Sequence, residues 1–246
     1  DFLENLVTLF LHGAVSPDSE LAVARFPAAG AGEITEIGVE TVSDLTAHLV
    51  HALLEKLKKI GLQEYALGYV LFGAGLSATE VTQLNRSHYV NDANQQFFLI
   101  FDPAIRESTS RRQVPLNQWI MGKRYGSYTR NPLTQWLKNR KDHQPTLFLN
   151  PSGEPLSVSE LQQQWQIWTT GLQTPQGQPL LLEQAQQTWC VDMLMRGMNI
   201  EDLSLLTGWQ ASRLQLYAIR ARENAALEAA IRFDQKGEGK RRREGE

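Results

Sequence analysis

The sequence predicts a mainly α-helical fold with a small antiparallel sheet, an α+β class, over residues 43–233. Three local signals predict it. Apolar residues recur at helical spacing from Ser43 onward. Serine and glutamate stand three apart just ahead of two such runs, the pattern in which each side chain caps the other's backbone N–H. Short aromatic and aliphatic runs bounded by turn residues read as strands.

Leu45, Leu49, Leu53, Leu57 and Ile60 form one helical stripe, with Ser43 as expected N-cap and Gly61 as stop. A second apolar run, Tyr65 to Phe72, ends at Gly73-Ala74-Gly75, and Ser77 with Glu80 opens a third helix before Val81 and Leu84. Gln96 to Phe101 (QFFLIF) reads as a buried strand, and Arg112 to Leu116 (RQVPL) as its partner beyond a turn. A helix is expected over Leu133 to Arg140 and a short strand over Pro145 to Asn150 (PTLFLN). Ser157 and Glu160 cap another helix whose Leu161, Trp165 and Trp168 share a face. Tryptophans at that spacing read as core rather than as base-stacking platforms. Cys190, among Trp189, Val191 and Met193, reads as a buried small residue.

Composition narrows the function classes. One cysteine permits no internal disulfide and no thiolate metal cluster, and fits a cytoplasmic protein; no metal or cofactor is implied. The apolar stretch FLENLVTLFLHGAVS is too short to span a bilayer and contains Glu4 and His12, so no membrane association is expected. The chain opens on Asp1 rather than Met, which leaves residues upstream open. The formal net charge of -3 is uneven: residues 1–44 hold eight acids and one base, and residues 236–246 five bases and three acids. The body between them carries 18 bases and 16 acids, a weak electrostatic case for nucleic acid. Residues 1–42 read as an acidic segment or linker, and 234–246 as a charged disordered tail.

From Leu180 to Tyr217 the chain reads LLLEQAQQTWCVDMLMRGMNIEDLSLLTGWQASRLQLY. That frame resembles the tyrosine recombinase (phage integrase) family, in which an HxxR motif is followed by a helix, a Gly, LLGH and the nucleophilic Tyr. ALGYVLFGAGLSATEVTQLNRSHYV, RQVPL and PTLFLNPSGEPLS resemble further family strings in the family's order. The resemblance covers about three quarters of the chain and implies a tyrosine recombinase catalytic-domain fold with a three-stranded sheet on one side. In that family the Tyr attacks a DNA phosphodiester and forms a phosphotyrosyl link, while two Arg, a Lys and a His or Trp stabilise the charge developing on phosphorus.

The aligned positions lack most of that chemistry. Ser77 and Gln186 stand at the two Arg positions, Glu183 at the His and Glu107 at the Lys, with Trp209 as an accepted variant. Tyr217 falls one residue early for the nucleophile. A missing preorganised donor costs about 3 to 4 kcal/mol of transition-state stabilisation. A carboxylate aimed at the phosphate adds roughly 4 kcal/mol of repulsion at close range. The frame therefore implies a catalytically degenerate recombinase-like protein, a pseudoenzyme whose Tyr217 is a vestigial nucleophile position, with DNA-binding or regulatory roles.

Double-stranded DNA is the implied partner, with Arg106, Arg111, Arg112, Arg213 and Arg220 as candidate contacts; each also reads as a solvated or ion-paired side chain. Two alternatives stay open. One is a working site-specific recombinase or integrase that uses Tyr217 with relocated basic residues. The other is a protein-interaction module on the same fold, for which residues 1–44 would mask the DNA face. Family members exchange a C-terminal helix between subunits, so Asn224 to Phe233 is a candidate for self-association.

Overall fold

The computed structural model describes residues 41–92, 94–101 and 111–243, with side chains described through Phe233 except at Arg111. Expectations placed on residues 1–40 and 102–110 lie outside them. Helix α1, Ala47–Ile60, is capped by Thr46, whose hydroxyl accepts from the Leu49 N–H at 3.4 Å. Ser43, the expected cap, is drawn elsewhere. Its N–H donates to Gln187 Oε1 at 2.7 Å and its hydroxyl accepts from Gln184 Nε2 at 2.7 Å. Leu45 N–H donates to Thr188 Oγ1 at 2.8 Å, so the strip ahead of α1 is stitched to a helix 140 residues downstream rather than to its own.

Gly61 ends α1 and opens α2, Leu62–Ala74, which is buried throughout from Ala66 to Ala74 and forms the central post of the fold. An all-round apolar helix is stable only when neighbours cover every side. Helices α1, α4 (Pro132–Asn139) and α6 (Glu183–Met195) do so. Gly75 caps α2 in the left-handed region, φ 60°, with no room for a Cβ against the Trp189 indole. That turn delivers Ser77 to the start of α3, Ala78–Thr82, where the predicted capping box forms: Glu80 N–H donates to Ser77 Oγ at 3.2 Å and Ser77 N–H to Glu80 Oε2 at 2.7 Å.

Strands β1 (Tyr89–Asn91), β2 (Gln96–Phe101) and β3 (Arg111–Pro115) form an antiparallel sheet in that order, Phe98 facing Tyr89 and Val114. Gln96, Phe98 and Ile100 point into the core, the alternation of a one-sided sheet. A second ladder, β4 (Trp119–Ile120) with β5 (Lys123–Arg124), was not expected; Met121 at φ 46° and Gly122 at φ 79° make its turn. The strand expected over Pro145–Asn150 reduces to isolated bridges at Thr146 and Leu149. Side chains have taken its ladder groups. Arg140 donates to the Thr146 and Leu147 carbonyls at 2.5 and 2.9 Å, and Trp136 Nε1 to Leu147 O at 3.0 Å. Gln63 brackets Leu149 with bonds of 2.8 and 2.9 Å.

Helix α5, Val158–Thr169, starts at the Ser157–Glu160 box and buries Leu161, Trp165 and Trp168 as its spacing predicts. Helices α7, Ile200–Thr207, and α8, Ala211–Arg243, complete the chain. Helix α8 continues through most of the tail expected to be disordered. Its Lys, Arg, Gln and Glu are good helix formers, and an existing helix adds one bond per residue fixed. The described residues belong to a unit beginning at Glu40. Two apolar clusters fill it: a large one around α2, the sheet and α5, and a smaller one of Trp189, Cys190, Val191, Met193, Leu203, Leu214, Tyr217 and Ala221. Trp189 Nε1 donates to Gly73 O at 3.2 Å and ties them together. Among the described residues no helix is long and apolar enough to cross a membrane.

Gly75→Ala should therefore cost about 2 to 4 kcal/mol, combining left-handed strain with overpacking against Trp189. Urea denaturation reads the loss as a lower midpoint at unchanged slope.

Candidate functional site

A cleft of about 750 Å3 lies between α3, the β2–β3 edge and α7, and brings together several of the sequence-predicted positions. Ser77, Gln186 and Trp209 line it together with Arg112. Ser77 is committed to its capping box, so its hydroxyl serves the helix start. Arg112, from β3, is the one guanidinium among the described lining residues. It is bound on two sides: one terminal nitrogen donates to Glu80 Oε1 and the other to the Leu206 carbonyl at the end of α7. The Arg112 and Glu80 side chains are 17% and 22% exposed, so water screens this pair only partly.

Glu80 thus holds its helix cap through one oxygen and a cation through the other. An incoming phosphate would have to displace that carboxylate before it met a guanidinium. Gly208 caps α7 in the left-handed region, φ 74°, and brings Trp209 to the cleft. Trp209 is fixed there: Ser204 Oγ donates to its carbonyl at 2.5 Å, and the Arg213 guanidinium carbon lies 3.9 Å from the ring centroid. His88, which the sequence reading passed over, also lines the cleft, its ring 4.9 Å from that of Phe101.

Tyr217 sits elsewhere. It is 1% exposed within the smaller cluster, its ring 5.5 Å from that of Trp209, and it does not line the cleft. Glu183, at the first turn of α6, is exposed and also outside the lining. Arg220 is not at the cleft either. Its Nε donates to Asp44 Oδ1 at 2.6 Å and Nη1 to Glu223 Oε2 at 3.3 Å, while Asn224 donates to the second Asp44 oxygen at 2.7 Å. Asp44 is not readable from the sequence as a partner of Arg220, because 176 residues separate the two. Arg106, Glu107 and the Arg111 side chain lie outside the described residues. Cys190 is buried as expected, and burial pushes its thiol up to about 12.

No protein-family model matches the chain. No curated protein matches it in sequence. Solved structures do. The crystal structure of XerA recombinase superposes with a TM-score of 0.60 at 15% identity, over 77% of this chain and 65% of that one. The Tn1549 transposon integrase in complex with transposon right end DNA gives 0.58 at 17% identity, over 80% of this chain and 67% of that one. A lambda integrase dimer bound to a COC' core site gives 0.55 at 13%, over 72% and 47%. The chain thus has the tyrosine recombinase catalytic-domain fold and spans about half to two thirds of the length of these structures.

Glu80→Gln keeps an oxygen for the cap and removes the charge opposing Arg112. It should cost about 1 to 3 kcal/mol of stability, the range for a partly buried charged bond losing one partner. It should also raise affinity for inorganic phosphate, read by calorimetric titration. Unchanged phosphate binding would reduce Glu80 to a helix cap.

Proposed function

We propose that this protein is a catalytically degenerate relative of the tyrosine recombinases that engages duplex DNA, or regulates a protein that does, without cutting it. The observation that carries the reading is the state of the cleft: its one described guanidinium, Arg112, already faces Glu80. Ser77 and Gln186 supply neutral groups at the two positions where the family's chemistry needs cations around a dianionic transition state. Losing two such donors costs about 3 to 4 kcal/mol each, enough to slow strand cleavage by several orders of magnitude. Tyr217 packed at 1% exposure would also have to leave its cluster to reach a phosphate.

Duplex DNA is the proposed partner because the XerH recombinase, the Tn1549 integrase and the lambda integrase are each seen bound to DNA in structures of this fold. Leu227, Ile231 and Phe233, all exposed on α8, are the proposed surface for self-association. The alternative of an active recombinase relies on relocated bases. Arg220 is engaged by Asp44 and Glu223, Arg213 is held over the Trp209 ring, and Arg112 is the one Lys or Arg among the described lining residues.

Mobility shift with labelled duplex should show weak binding that fades as salt rises, the mark of phosphate neutralisation. A nicked suicide substrate should trap no protein–DNA adduct, and Tyr217→Phe should bind duplex as the parent does. An adduct resistant to denaturation that vanishes in Tyr217→Phe would overturn the reading.

A further inference from the structure

A second cleft, of about 410 Å3, opens where the end of β3 meets the β4–β5 hairpin, and it shares no lining residue with the Ser77–Trp209 cleft. Its chemistry is the reverse of that site. Arg124, Arg196, Trp119, Tyr128, Asn117 and Gln118 line it, with no carboxylate among the lining residues. Trp119 is 51% exposed, an unusual placement for an indole on a structured hairpin.

Both cations neighbour Trp119. Arg124 is the cross-strand partner of Trp119, and Arg196 Nη1 donates to the Trp119 carbonyl at 3.3 Å. Arg196 is offset by Asp192, which accepts from its Nε and Nη2 at 3.1 and 2.6 Å. The net charge therefore comes from Arg124, whose bonds go to uncharged oxygens: Gly126 O at 2.8 Å and Gln118 Oε1 at 3.2 Å. The hairpin is also held in place before any ligand arrives. Lys123 pairs with Glu55 at 3.0 Å, and the His51 ring nitrogens meet the Tyr125 hydroxyl at 2.6 Å and the Met121 carbonyl at 3.2 Å. A preformed site spares a ligand the ordering cost of building it.

We infer that this cleft binds a nucleotide, with a base stacked on the Trp119 indole and its phosphate against Arg124. Aromatic rings beside guanidinium groups are the general means of holding an unpaired base with its backbone, since every base has a π-face. With Asn117 Nδ2 donating to Met193 Sδ and Gln118 Oε1 accepting from Arg124, the other amide atoms, Asn117 Oδ1 and Gln118 Nε2, give one acceptor and one donor for a base edge. An inorganic anion would make no use of the ring, and a purely apolar ligand would strip water from two guanidinium groups without replacing it. The inference is independent of duplex binding. A base inside a duplex already has both faces stacked on its neighbours, so the ligand is a free nucleotide or an unpaired stretch of a strand.

The test titrates the full chain with a short labelled oligothymidylate by fluorescence anisotropy, with thymidine monophosphate and inorganic phosphate as competitors. Trp119→Ala and Arg124→Ala should each weaken oligonucleotide binding by about tenfold, the scale of one stacked base. Trp119→Phe should restore much of the loss, and Lys138→Ala, on exposed α4 surface, should change nothing. Competition by the mononucleotide at similar concentration identifies a free nucleotide as ligand; its failure to compete identifies a strand. The inference is overturned if the oligonucleotide does not bind, if Trp119→Ala leaves binding intact, or if inorganic phosphate competes as well as the mononucleotide. Duplex mobility shift on the same variants separates this result from the reading of the first cleft.

Discussion

A guanidinium held beside a carboxylate and away from most water must have its N–H groups answered by the protein, and the groups that answer it become fixed in turn. Arg112 imposes that constraint here. It reaches from β3 to Glu80 on α3 and to the Leu206 carbonyl at the end of α7, joining three elements that meet nowhere else in sequence. Glu80 in turn orders Ser77, and the end of α7 orders Gly208 and Trp209. One ion pair and one carbonyl contact therefore tie β3, α3 and α7 together at the cleft, and the pair places its two charges there. Removing either partner would leave the other charge half-buried, which costs more than the pair itself contributes.

The local logic of the fold was legible in the sequence because it is carried by short-range chemistry. Ser77 with Glu80 and Ser157 with Glu160 cap the helices they were expected to cap, and Leu161, Trp165 and Trp168 share a buried face. A capping box involves residues three apart, so nothing distant has to be known. Failures came where distant partners compete for the same atoms. Ser43 has the chemistry of an N-cap, yet its hydroxyl is claimed by Gln184 from α6, and Thr46 caps the helix instead. The strand expected over Pro145–Asn150 has the right residues, but Arg140, Trp136 and Gln63 occupy its backbone groups.

Of the candidate site, the sequence offered single positions and not an arrangement. Ser77, Gln186 and Trp209, singled out separately in the sequence, line one cleft. The pairing of Arg112 with Glu80 was not readable, because each residue has a sufficient local explanation, one as a strand-edge cation and the other as a capping acid. Only the folded chain brings them together across 32 positions. The same holds for Tyr217: its place on an amphipathic helix suits a nucleophile or a core ring equally, and burial at 1% decides which environment it occupies.

Under the proposed function, the two clefts account for a scaffold that keeps its packing with a different chemistry. Stability depends on α2, the sheet and the tryptophans packed around them, and none of these requires a cation in the cleft. Cations do remain on the surface, but they have different neighbours. Where Arg112 lies, a carboxylate answers the charge inside the cleft; where Arg124 lies, only neutral oxygens do, with an open indole beside it. A ligand phosphate gains from a guanidinium in proportion to what it need not displace, and roughly 4 kcal/mol separates an anion from a fixed carboxylate at close range and intermediate dielectric. By that measure an anionic ligand meets less opposition in the hairpin cleft than in the cleft lined by Ser77, Gln186 and Trp209.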